Sequence, residues 1–186
     1  MLKRGLPGLV PTLIYFISVT PSFGQLGFQQ GTITKKDGTV INCFVEMQVG
    51  YGPKVYYKME ESSYEKVIKS TEVKSIQLQH RKFDNIQLEK KEQIMALMAE
   101  GKLILYTYVN NKQGSRKSGY GGTFAMFEPE FTHAIIRDGI LTELTNDNYK
   151  ERLSKLVEER KDLVDRINDP DFKITDVEQV VIDYNG

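Results

Sequence analysis

The chain has 186 residues and balances 25 Lys and Arg against 25 Asp and Glu. It therefore lacks the clustered cations that drive phosphate binding, which excludes nucleic acid and anionic lipid as electrostatically selected partners. Its single cysteine, Cys43, excludes an internal disulfide, so stability must come from packing alone.

The first residues predict export. Lys3 and Arg4 precede an apolar stretch from Leu9 to Val19, and Pro21-Ser22-Phe23-Gly24 leads into Gln25. Charged start, short apolar run and small residues at −3 and −1 are the layout of a cleavable signal over 1–24. A spanning helix needs about 20 apolar residues, roughly twice this run, and Pro11 and Thr12 interrupt it. Lipid attachment would need a cysteine where Gln25 stands. Cleavage would leave residues 25–186 as a single α+β domain with a charge of −2, since Lys3 and Arg4 depart with the leader. A chain of that size buries about 70% of its unfolded surface.

From Phe28 to Phe127 the apolar pattern is mostly period two, the mark of half-buried strands. Phe28–Lys36 and Thr39–Met47 flank Asp37-Gly38, a type I′ hairpin signal. Ile41, Cys43, Val45 and Met47 share one face, which makes Cys43 a small buried hydrophobe. Gly50 to Pro53 breaks the chain. Strands are predicted over Lys54–Met59, Tyr64–Ile68, Val73–Gln79 and Phe83–Leu88. Lys91–Glu100 reads as a helix, with Ile94, Leu97 and Met98 on one face and Gly101 as its C-cap. Lys102–Val109 is apolar on both faces and is taken as the central strand.

Asn110 to Gly122 reads as a polar, glycine-rich loop. Thr123–Phe127 and Phe131–Arg137 are strands around a turn at Glu128-Pro129-Glu130, and Asp138-Gly139 repeats the hairpin signal before Ile140–Leu144. The period then becomes helical over 146–185. Tyr149, Leu153, Leu156, Val157, Leu163, Val164 and Ile167 form a stripe on one helix or two with a break near Arg160. Glu151–Lys155 and Asp162–Arg166 are candidate i,i+4 pairs. Asp169-Pro170 stops the helix, and Thr175 to Glu178 forms a capping box for a last short one. The fold class is thus α+β: a mainly antiparallel sheet or partly open barrel followed by C-terminal helices.

Chemistry is sparse. His80 and His133 have no ligand partner at metal-site spacing, and Asp169, Asp171 and Asp176 lack the glycine and closing Glu of a calcium loop. No metal or cofactor is expected. There is no G-x-S-x-G elbow. No catalytic residue is assigned; His133, on a strand, is the candidate base for any site assembled from distant residues. The run 114–122 joins glycines to two adjacent cations and an aromatic without the phosphate-loop spacing. Arg116, Lys117 and Tyr120 are therefore the candidate binding residues, because contacts concentrate on long loops held by rigid scaffolds. Tyr51, Tyr56, Tyr57 and Tyr64 give an aromatic-rich sheet that fits ordinary strand propensity, with carbohydrate or peptide stacking as the alternative.

The order Gly31-Thr32-Ile33, Asp37-Gly38-Thr39-Val40, Val55-Tyr56-Tyr57-Lys58, Glu72-Val73-Lys74-Ser75-Ile76, Glu100 to Tyr106 and the ending Tyr184-Asn185 resembles a family of small exported proteins of unknown function from Bacteroidota-type Gram-negative bacteria. That family often carries a glycine where this chain has Asn42-Cys43. The resemblance implies a domain that stands alone or ahead of an outer-membrane β-barrel, and it supplies no catalytic residue. The leading expectation is an exported, non-enzymatic module of the periplasm or outer cell surface. It would contact an unknown protein or envelope component through a sheet edge or the 110–122 loop, with no transmembrane segment in the mature chain. The alternatives are an envelope hydrolase or transferase using His133, and a small-ligand carrier with an apolar cavity in the sheet. A deep pocket holding His133 beside a carboxylate would favour the enzyme.

Overall fold

The computed structural model describes residues 27–46, 53–117 and 123–186, and of 110–129 within that range it describes the backbone alone. The predicted leader, Met47, Tyr51 and Tyr120 lie outside the described residues. Ten strands form one antiparallel sheet: β1 Phe28–Lys35, β2 Val40–Glu46, β3 Lys54–Lys58, β4 Lys66–Lys69, β5 Val73–Leu78, β6 Lys82–Gln87, β7 Glu92–Ala99, β8 Leu103–Lys117, β9 Thr123–Arg137 and β10 Ile140–Leu144. Their order is β10-β9-β8-β7-β6-β5-β1-β2-β3-β4. Three helices follow, α1 Tyr149–Leu156, α2 Lys161–Asn168 and α3 Val177–Asn185. The fold is the expected α+β class with an open sheet. Among the described residues no helix is long and apolar enough to cross a membrane.

The two Asp-Gly hairpins differ. Asp138 and Gly139 both have positive φ, 52° and 80°, and join Arg137 directly to Ile140, as a type I′ turn requires. At Asp37-Gly38 only Gly38 has positive φ. There the Gly38 N–H donates to the Lys35 carbonyl at 3.1 Å, and Asp37 Oδ1 accepts the Thr39 N–H at 2.8 Å. That turn is a type I turn closed by a glycine bulge rather than the expected type I′. The side chain of Asp37 stabilises the alternative.

The helices cover only one end of the sheet, packing on β7, β8 and β10. Leu103, Leu105 and Ile135 from the sheet meet Leu153, Val157, Leu163, Ile167, Val180 and Val181, almost all fully buried. The β1–β6 end has its own core: Ile33, Val45, Val73 and Ile76 are each 0% exposed beside Val55 and Ile68. With no helix on it, this end must coil over itself to exclude water. A third cluster, with Ile86, Met95, Tyr106 and Ala134, fills the opposite face under β6–β9. Strand β8 is therefore buried on both faces as expected, although it lies third from an edge rather than at the centre.

Three expectations are corrected here. The helix expected over Lys91–Glu100 is instead strand β7, Glu92–Ala99, with Ile94 and Met95 at 1% and 0% exposure on opposite faces. A strand buried on both sides shows a continuous apolar run that matches a helical stripe as well as a strand. Pairing with β6 and β8 overrides the helical propensity of Glu, Met, Ala and Leu. Met95 fills core while Met98 stays 40% exposed. Second, Tyr64 is 95% exposed, and its strand begins only at Lys66.

Third, residues 110–117 are not loop, nor do Glu128-Pro129-Glu130 turn: β8 and β9 run as one fifteen-residue ladder from Leu103↔Arg137 to Lys117↔Thr123. Pro129 fits inside it for a derivable reason. Arg137 closes the type I′ turn, so its backbone groups face β10. Antiparallel pairs alternate, so residues 135, 133, 131 and 129 also face away from β8. The missing N–H of Pro129 thus falls on the outer side, beyond the end of β10 at His133.

The helical region breaks into two helices at 157–160, as one of the two expectations held. Glu151 and Lys155 pair at 2.6 Å, but Asp162 and Arg166 do not meet. Arg166 reaches Asp183 on α3 at 2.7 Å and Asp162 takes Arg160 at 2.8 Å. The last cap also sits two residues earlier than the expected Thr175 to Glu178 box: Asp176 accepts the Lys173 N–H at 2.8 Å, and a 3-10 turn, Ile174–Asp176, precedes α3. Asn185 at the end of α3 then clamps β8, accepting the Leu103 N–H at 2.9 Å and donating to the Leu103 carbonyl at 2.8 Å.

Candidate functional site

His133 is 3% exposed on β9, on the helix-covered face. Its Nδ1 lies 2.8 Å from Thr107 Oγ1 on β8, and its Nε2 lies 3.1 Å from the carbonyl of Ile174, at the entrance to α3. A carbonyl can only accept, so Nε2 carries the proton and Nδ1 accepts from the Thr107 hydroxyl. Burial pushes the imidazole down to about 4, because the charged form is poorly solvated there. The ring stacks on Phe131, centroids 6.2 Å apart.

A cleft of about 300 Å³ opens beside this histidine, between the helical layer and the β5–β6 region. Phe83, Ile94, Ala96, Val109 and Phe131 give it apolar walls, with Arg81, Thr175 and Glu178 among its polar residues. His133 and a carboxylate thus share one cavity, the arrangement that would favour an enzyme. The hydrogen bonding points the other way. Hydroxyl, imidazole and carbonyl have the order of a nucleophile–base–orienter set. Yet an imidazole held neutral until about pH 4 is a weak proton acceptor at neutral pH. Its bonds join β8, β9 and the α3 entrance, which is the work of a cross-link in the core. Sequence reasoning singled out His133 but had no local signal for Ile174, which follows it by 41 residues.

Two of the three candidate binding residues, Arg116 and Lys117, lie on an arm, and the third, Tyr120, is outside the described residues. Pairing of β8 with β7 ends at Thr107, and pairing of β9 with β10 ends at His133. Beyond those points, among the described residues, only the mutual ladder of β8 and β9 continues. From Asn110 to Lys117 it extends for eight residues, roughly 27 Å at about 3.4 Å each. Arg116 and Lys117 stand at its far end, in register with Phe124 and Thr123. The lysine at 91 contacts the arm's root, with Nζ 5.3 Å from the Tyr108 ring.

The other strand edges are guarded: β4 is four residues long with Lys66 and Lys69 at its ends, and α1 packs on β10. The remaining chemical candidates are quiet. Cys43 is 3% exposed and burial raises its thiol. Asp169 Oδ1 caps Asp171 at 2.8 Å, as expected of a helix stop. Among the described residues no group of three or more His, Cys, Asp or Glu is placed to hold a metal. Neither a scan against family models nor searches of curated proteins and of solved structures finds a match to this chain.

Proposed function

We propose that the chain is an exported, non-enzymatic binding module of the cell envelope, acting in the periplasm or on the outer cell surface, and that it holds its partner through the β8–β9 arm. Export rests on the layout of residues 1–24 and on the resemblance to small exported proteins. The observation that carries the binding role is the arm itself. A two-stranded ribbon alone in water is marginally stable, and among the described residues no flanking strand is paired with the outward ladder groups of this one past Thr107 on β8 or His133 on β9. A partner that adds a strand, or covers the ribbon, would satisfy them.

The test is to shorten the arm in register. Asn110 and Glu130 are directly opposed, and by the alternation that places Pro129 outward they form a hydrogen-bonded pair. Joining them through Asn-Gly would make a two-residue hairpin. In native cells the parent should fractionate with the envelope, and the shortened chain should melt normally but appear in the soluble fraction. Equal envelope association of the two chains would remove the arm from the mechanism.

A further inference from the structure

At the other end of the sheet, four strands from the arm's root, the outer face of β1, β2 and β5 carries a groove of about 650 Å³. We propose that it binds a neutral glycan. None of its lining residues is charged, in a chain of which 27% is. Its polar side chains are amides and one hydroxyl: Gln29, Gln30, Thr32, Asn42, Gln77 and Gln79. Gln29, in register with Val45, alternates to the other face, while Gln30, Thr32, Asn42, Gln77 and Gln79 share this one because Thr32 pairs with Asn42 on one side and Gln77 on the other, and Gln30 pairs with Phe44. Their alternate neighbours Ile33, Cys43, Val45, Ile76 and Leu78 point into the core.

A carboxamide both donates and accepts, as a sugar hydroxyl does. A phosphate or carboxylate ligand would find no cation in this lining, and an apolar ligand would strip water from the amides without replacing its hydrogen bonds. Two of the amides are already oriented. Asn42 Oδ1 accepts the Thr32 hydroxyl at 3.1 Å, which leaves its NH₂ to face the groove. Gln77 Nε2 donates to the Leu78 carbonyl at 2.7 Å, which leaves its Oε1 as an acceptor. Such prior bonding lowers the ordering cost of binding. The Phe44 ring adds an apolar surface on which the C–H face of a sugar can rest. The volume lies within the range of small-ligand sites.

An array of neutral and anionic glycans, followed by calorimetry on each hit, tests this with the purified chain. A neutral oligosaccharide should bind, and Asn42→Leu should weaken it about tenfold, the loss of one well-placed hydrogen bond. Gln30→Leu, on an exposed side chain of the same wall, repeats the test should Asn42→Leu melt early. The arm-shortened chain should bind the same glycan unchanged, which keeps this site distinct from the arm. No glycan bound, a preference for anionic glycans, or binding indifferent to both groove variants would overturn the proposal.

Discussion

Ending the chain at Ile174 withdraws α3 and its clamp from the core, and the loss can be worked from the structure. Val177, Val180 and Val181 are each 0% exposed. A fully buried valine contributes roughly 1.5–3 kcal/mol, so the three together supply about 5–9 kcal/mol. Loss of Asn185 also orphans the N–H and carbonyl of Leu103, itself 0% exposed. Unsatisfied buried groups cost about 1–3 kcal/mol. The sum approaches the whole 5–15 kcal/mol stability of a domain, so the truncated chain should lose its cooperative melt or be insoluble. Asn185→Ala alone should cost about 2 kcal/mol, which at roughly 2–4 °C per kcal/mol for a chain of this size is a drop of about 4–8 °C. Thermal melts followed by far-ultraviolet circular dichroism compare the three chains. A truncated chain melting within about a degree or two of the parent would refute the reasoning and make α3 an appendage.

Gly101 sits against the same clamp: a Cβ there would lie 2.5 Å from Asn185 Cγ. Gly101→Ala should therefore destabilise by a similar amount, and by less in the Asn185→Ala background, since neighbouring substitutions do not add. His133 is depressed to about 4 from 6.5, so its stabilisation is present above pH 6.5 and is lost as pH falls toward 4, where the unfolded chain binds the extra proton. Denaturant titrations at pH 7 and pH 4.5 should show about 2–3 kcal/mol more acid loss in the parent than in His133→Gln; equal slopes would mean the imidazole is not held neutral. Cys43→Ala should cost about 1–2 kcal/mol, and the native thiol should label only at the unfolding rate, because it is 3% exposed. Pro129→Val restores an N–H to the open flank of the arm; the melt should hold within about 0.5 kcal/mol while light scattering shows greater self-association.

The sequence by itself determined the features whose signals are local. Alternation along 28–46 and 73–87 specified strands and their buried faces, including that of Cys43. Asp138-Gly139 specified a type I′ hairpin because few residues tolerate two successive positive φ values. The stripe from Tyr149 to Ile167, stopped at Asp169-Pro170, specified the helical end. Where a choice depended on a distant partner, only the tertiary structure decided. Residues 91–100 carry apolar side chains on every face, and β6 and β8 on either side select strand over helix. Residues 110–117 look like loop because they are polar, yet their register with 123–130 makes them strand through backbone pairing, which leaves no apolar alternation in the sequence. Asp37-Gly38 carries the same pair as Asp138-Gly139, but Lys35 and Thr39 close it around one more residue. Arg166 bypasses Asp162 for Asp183, and Asn185 clamps a strand 82 residues earlier. The tautomer of His133 depends on a carbonyl brought in by the helical layer. Local pattern reaches a few residues along the chain, whereas these hydrogen bonds and pairings close only when the sheet coils and the helices dock on it.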